Sequence, residues 1–114
     1  MLEIMDDETK IVSLVIYKDN NESAARTIWL SIKNNFLFIE QQDYSPQLED
    51  FFGKDTIERF ISKVPVEYIM RILKVEDTNQ LLYELKQLFG KNSGLDEFQS
   101  FLDSHHIPYE FGTY

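Results

Sequence analysis

The stretch 27–46, TIWLSIKNNFLFIEQQDYSP, constrains the fold more than any other part of the chain. Two apolar runs flank Asn34-Asn35, and asparagine tolerates the left-handed backbone that a two-residue hairpin turn requires. A turn there pairs Lys33 with Phe36, Ile32 with Leu37, Leu30 with Ile39 and Trp29 with Glu40. Strand side chains alternate between faces. Ile28, Leu30, Ile32, Leu37 and Ile39 therefore share one face, and Trp29, Ser31, Phe36, Phe38 and Glu40 share the other. The first set is wholly aliphatic and belongs in a core. The second mixes aromatic and polar groups, as a half-covered or exposed face does. A slip of one residue would mix the two sets, so the pattern selects this register.

The rest of the chain can be placed around this hairpin. Residues 10–17, KIVSLVIY, are short and rich in β-branched side chains, which predicts a first strand with Val12, Leu14 and Ile16 inward. The polar stretch 18–23 is a turn. Residues 42–54 change character, with Ser45-Pro46 suited to start a short helix carrying Leu48, Phe51 and Phe52, and Gly53 suited to end it. Residues 55–64, DTIERFISKV, fit a helix or a strand; Pro65, which opens the next element, favours a fourth strand. A helix over 65–74 follows. A second, over 77–89, is capped by Asp77 or Thr78, has a Leu81, Leu82, Leu85, Leu88 and Phe89 stripe, and ends at Gly90. A third runs from Ser93 or Gly94 to about His105, with Leu95, Phe98, Phe101 and Leu102 inward. Residues 107–111, IPYEF, read as an extra strand at the sheet edge, where Pro108 is tolerated. The expected fold is α+β: an antiparallel meander of about four to five strands with about three helices on one face. At 114 residues this is one domain, 1–114, with 1–8 a frayed lead-in.

Composition removes several functional classes. The chain has no cysteine, which excludes disulfides, thiol catalysis and thiolate metal sites, and suits a cytoplasmic location. The first ten residues lack the basic-then-apolar order of a signal peptide, and no apolar run approaches the ~20 residues of a membrane span. Net charge is −9, from 20 acidic and 11 basic residues. That disfavours a nucleic-acid backbone, which needs a basic face, and permits a protein partner with a basic surface. No nucleophile elbow, HExxH pair or phosphate-binding glycine loop is present. No catalytic, metal-binding or cofactor-binding residue is expected, and the chain does not read as an enzyme.

FLFIEQQDYSP, then LEDFFG, then LDSHHIPYEF resemble a pattern in small acidic bacterial proteins, over roughly residues 28–111. The chain departs from that pattern at Gln41, where glycine is expected before QDY. These proteins are in turn similar in size and charge to immunity proteins of bacterial toxin systems, which bind and neutralise a cognate toxin domain. The resemblance implies such a role and carries over no functional residue.

Four groups invite a functional reading. Glu40, Asp43, Glu49, Asp50, Asp55 and Glu58 lie within nineteen residues and, if the loop folds back beside the third strand, make one acidic patch. Such a patch can meet the basic cleft of a toxin or nuclease; the alternative is a solvated rim. Asp43-Tyr44 can be part of that contact or a local turn with Tyr44 packed on the sheet. Trp29, Phe36 and Phe38 can form a binding platform or a second core layer. His105-His106, about 100° apart on a helix, suit its C-terminal dipole rather than a shared metal ion. The expected role is non-catalytic interaction, with Glu40, Asp43, Tyr44, Glu49, Asp50, Asp55 and Glu58 as partner-binding residues. The alternative is an assembly protein acting as a homodimer.

Overall fold

The computed structural model describes residues 12–20, 25–45 and 56–113. Five strands, β1 (Val12–Asn20), β2 (Ala25–Lys33), β3 (Phe36–Tyr44), β4 (Thr56–Pro65) and β5 (Glu110–Thr113), form one antiparallel sheet in sequential order. Three helices, α1 (Val66–Leu73), α2 (Thr78–Phe89) and α3 (Gly94–Ser104), lie between β4 and β5 in the chain. Asn34 and Asn35 take positive φ angles of 53° and 65°, those of the primed hairpin turn. The expected pairs Lys33–Phe36, Ile32–Leu37, Leu30–Ile39 and Trp29–Glu40 all form. Ile28, Leu30, Ile32, Leu37 and Ile39 are buried in the core with Ile61 and Val64 of β4.

β4 is a strand because its apolar residues alternate with the sheet: Ile61 faces Ile39 and Val64 faces Leu37 in the core. It also satisfies the backbone groups that β3 would otherwise leave unpaired at an edge. Pro65 ends β4, and the first amide of α1, on Val66, donates to the Asn35 carbonyl at the hairpin turn (3.0 Å). The helices cover the aliphatic face with Ile69, Leu81, Leu85, Leu95, Phe98 and Leu102, all fully buried. Phe98 meets Phe89 edge-on at 5.2 Å, which locks α3 against the end of α2. Asp77 caps α2 by accepting from the Gln80 amide at 2.8 Å.

Several boundaries differ from the sequence reading. β1 runs on through Lys18, Asp19 and Asn20, expected as turn, because they pair with Thr27, Arg26 and Ala25, and a bulge between Val15 and Tyr17 sets Tyr17 opposite Ile28. Ile16 is still buried, and Tyr17 packs against the core beside it. β3 continues through Gln42, Asp43 and Tyr44, because these residues gain partners on both sides, from Ala25–Thr27 and from Thr56–Glu58. Leu88 is exposed, since Phe89 takes the inward position at the end of α2. Gly90 ends that helix without left-handed angles. Glycine fits because a Cβ there would stand 2.4 Å from the Lys86 carbonyl oxygen and 2.6 Å from that of Ile16. The final strand begins at Glu110 rather than Ile107, whose side chain is buried in the core. The expected lead-in at 1–8 and the short helix after Ser45 lie outside the described residues.

At the end of α3 the amides of His106 and Ile107 donate to the carbonyls of Asp103 (3.2 Å) and Leu102 (2.9 Å). This is a Schellman closure, with His106 in the left-handed position at φ 56°. The histidine pair therefore terminates the helix through its backbone, and the His105 ring lies 4.7 Å from that of Phe101.

Candidate functional site

The face of the sheet opposite the helices carries the unusual chemistry. Pairing and alternation place Trp29, Ser31 and Lys33 of β2 on it, with Phe36, Phe38, Glu40, Gln42 and Tyr44 of β3 and Glu58 and Phe60 of β4. Phe38 and Phe60 stack with ring centroids 5.7 Å apart and planes 20° from parallel. Phe60 also lies over Gly112 of β5, where a Cβ would stand 2.4 Å from the ring. Phe36 and Tyr44 are 48% and 39% exposed, so this is not a second closed core layer among the described residues.

Charge on this face is divided by position along the strands. Glu40 sits between Trp29 and Phe60 in the pairing scheme. Burial raises its pKa above the ordinary carboxylate value, and the neighbouring Glu58 adds to the effect. Gln42 donates to Glu58 at 3.4 Å. Among the described residues no basic group forms an ion pair with either glutamate. Arg59, next to Glu58 in sequence, points to the other face and reaches Asp96 at 3.4 Å. At the hairpin end this face carries Lys33 and Lys63, with Glu110 of β5 across from Ser62. Lys33 and Lys63 flank a shallow depression of about 360 Å³ floored by Phe36, Leu37 and Phe38. Lys63 stands in the bulge of β4 with φ 58°, and its ammonium lies 3.2 Å from Glu110.

The acidic residues singled out in the sequence separate into distinct environments. Glu40 and Glu58 come together on the open face. Asp43 is turned to the helix side, where Arg26 donates to both carboxylate oxygens from Nε (2.6 Å) and Nη2 (3.1 Å). The buried Gln41 donates to the same carboxylate at 3.1 Å, and Arg26 reaches on to the Asn92 carbonyl at 2.9 Å. Asp43 thus ties β2 and β3 to the α2–α3 connection and is neither a local turn nor an unpaired charge. Tyr44 is exposed at the far end of the open face. Glu49, Asp50 and Asp55 lie outside the described residues.

Trp29, Phe36 and Phe38 were legible as one face of the hairpin; Phe60, Gln42 and Lys63 were not. The signal that could have found Phe60 is the alternation Thr56, Glu58, Phe60 against Ile57, Arg59, Ile61. No signal marks Lys63, whose place depends on the bulge. Aromatic rings beside carboxylates that have no basic partner among the described residues form a surface suited to contact with another protein. No group of three or more histidines, aspartates or glutamates among the described residues could hold a metal ion. No described helix is long and apolar enough to cross a membrane. Compared with protein-family models, with curated proteins and with solved structures, the chain matches none.

Proposed function

We propose that this chain is a non-catalytic interaction protein that binds and neutralises a cognate bacterial toxin domain through its open sheet face. The observation that supports this reading most is the placement of Glu40 and Glu58, unpaired by any described base, beside the Phe38–Phe60 stack and Trp29. A partly desolvated Glu40 with Glu58 beside it, bordered by aromatic rings, suits a basic partner: the rings supply contact area and the charges supply orientation and encounter rate. The net charge of −9 favours the same sign of partner at long range. Neutralisation in this reading is occlusion of a basic surface, and needs no bond made or broken. A cytoplasmic location fits this role.

Affinity capture from the native cell tests the proposal, with the wild-type chain compared against Glu40→Lys/Glu58→Lys. The expected result is one basic protein retained by the wild type and lost from the variant, with capture weakening as salt rises. A captured protein held equally by both baits removes this face from the account.

A further inference from the structure

The hairpin tip carries a second surface, built without Glu40 or Glu58. Asn34 and Asn35 turn the chain there, and Phe36 starts β3 paired to Lys33 on one side and to Pro65 on the other. The Val66 amide donates to the Asn35 carbonyl at 3.0 Å, which fixes the start of α1 against the turn. Phe36 is therefore held by its backbone from both sides, while nearly half of its side chain stays exposed. That side chain lines two depressions of about 360 Å³ each. One runs back over Phe38, with Lys33 at its rim. The other lies against Pro65, Val66 and Met70, with Glu67 at its rim. Phe36 forms a ridge between two apolar hollows.

The charges at the two rims differ in sign. Lys63 is engaged by Glu110 at 3.2 Å, so it closes the first rim rather than offering a cation. Lys33 and Glu67 are exposed and form no ion pair among the described residues. In an extended chain, residues two apart project from the same side about 6.8 Å from one another. Two apolar side chains packed at about 3.5–4.0 Å on either side of a ring stand about 7–8 Å apart. An extended segment crossing Phe36 can set one such side chain in each hollow. An acidic residue before one and a basic residue after the other then meet Lys33 and Glu67, and the opposite placement sets like charges together.

We propose that the hairpin tip is a docking site for an extended segment of another protein, in which two apolar side chains two residues apart straddle Phe36 between an acidic residue at the Lys33 end and a basic residue at the Glu67 end. The site goes beyond the toxin-binding reading and does not depend on it. The turn, the strand pairing and the Val66–Asn35 bond hold both hollows in place before binding, which lowers the ordering cost. The hollows are shallow, so a short segment is held weakly.

Amide shifts of the isotope-labelled full chain in solution NMR test this with two capped pentapeptides, Glu-Leu-Ser-Leu-Lys and Lys-Leu-Ser-Leu-Glu. They differ in the direction of charge along the chain, which the two-residue spacing does not set. One is expected to shift Asn35, Phe36 and Met70 with a dissociation constant on the order of 1 mM. The other is expected to bind roughly fivefold more weakly, as two exposed ion pairs give way to like charges. Lys33→Glu/Glu67→Lys is expected to reverse that preference, which a misfolded variant cannot do. Phe36→Ala is expected to weaken binding roughly tenfold, and its spectrum shows whether the fold is kept. Neither peptide shifting these amides at about 5 mM, fivefold above that constant, overturns the proposal. So does a Phe36→Ala variant that binds like the wild type. Two peptides held equally, or a charge-swapped variant that keeps the wild-type preference, overturn the assignment of Lys33 and Glu67. Shifts of the same amides on concentrating the chain without peptide give the tip to a second copy instead. Capture through Glu40 and Glu58 is read separately and stands or falls by itself.

Discussion

Removing the Asp43 carboxylate tests whether its network holds the sheet to the helices. Asp43→Ala leaves the Arg26 guanidinium without its two-point acceptor and the Nε2 of Gln41 without a partner, on a residue only 1% exposed. Loss of hydrogen bonds to a charged group costs about 1.5–3 kcal/mol, and stranding a buried amide donor costs about 1–3 kcal/mol. The Arg26 and Asp43 side chains are 25% and 27% exposed, so water recovers part of this, and the low end of the sum applies. The expected destabilisation is about 2–3 kcal/mol, or a fall in Tm of about 10–15 °C for a domain of this size. Arg26 also holds the Asn92 carbonyl, so the loss propagates from the β2–β3 pair to the start of α3.

Urea unfolding of the wild type, Asp43→Ala, Arg26→Ala and the double variant gives both the total and the coupling. The cycle is expected to show a coupling above about 1 kcal/mol, because the double variant removes the stranded cation along with its partner. Asp43→Asn keeps one acceptor for Arg26 but sets an amide donor against other donors, and is expected to cost about 1 kcal/mol. An Asp43→Ala variant within about 0.5 kcal/mol of the wild type, the range of an ordinary surface change, refutes the reasoning.

Three further outcomes are expected. The raised pKa of Glu40 means that the folded state holds its proton more tightly than the unfolded state does. Stability therefore falls as pH rises from the ordinary carboxylate range through the raised value. Glu40→Gln is expected to raise Tm at pH 7 and to change it little at pH 4, by calorimetry at the two pH values. His106→Gly is expected to stabilise by about 0.5–1 kcal/mol in urea unfolding, since the left-handed position favours glycine even after its greater unfolded entropy. Asp77→Ala removes the cap on the Gln80 amide and is expected to cost about 1 kcal/mol by the same measurement.

The central hairpin was legible because two independent local signals agree: turn chemistry at Asn34-Asn35 and alternation on both sides of it. The helix ends at Asp77 and His105 were legible for a related reason, each being a local capping arrangement, whereas the glycine at 90 is also required by the carbonyl of Ile16 on β1. The extension of β3 was not. Gln42, Asp43 and Tyr44 read as the onset of a loop because aspartate is poor in strands. Its pairing with Arg26, seventeen residues away, overrides that preference. Gln41, where the resemblance expects glycine, is buried and donates to this same carboxylate, so a side chain that departs from the pattern has a structural use here.

The same reasoning explains why the acidic patch was only partly visible. Counting charges along residues 40–58 treats neighbours in sequence as neighbours in space, whereas a strand sends them alternately to opposite faces. Asp43 and Arg59 go to the helix side and are neutralised there by Arg26 and Asp96. Glu40 and Glu58 go to the open side and remain without a basic partner among the described residues. Alternation therefore does more than thin the patch. It places arginines where they join the sheet to the helices, and leaves Glu40 and Glu58 together on the opposite face.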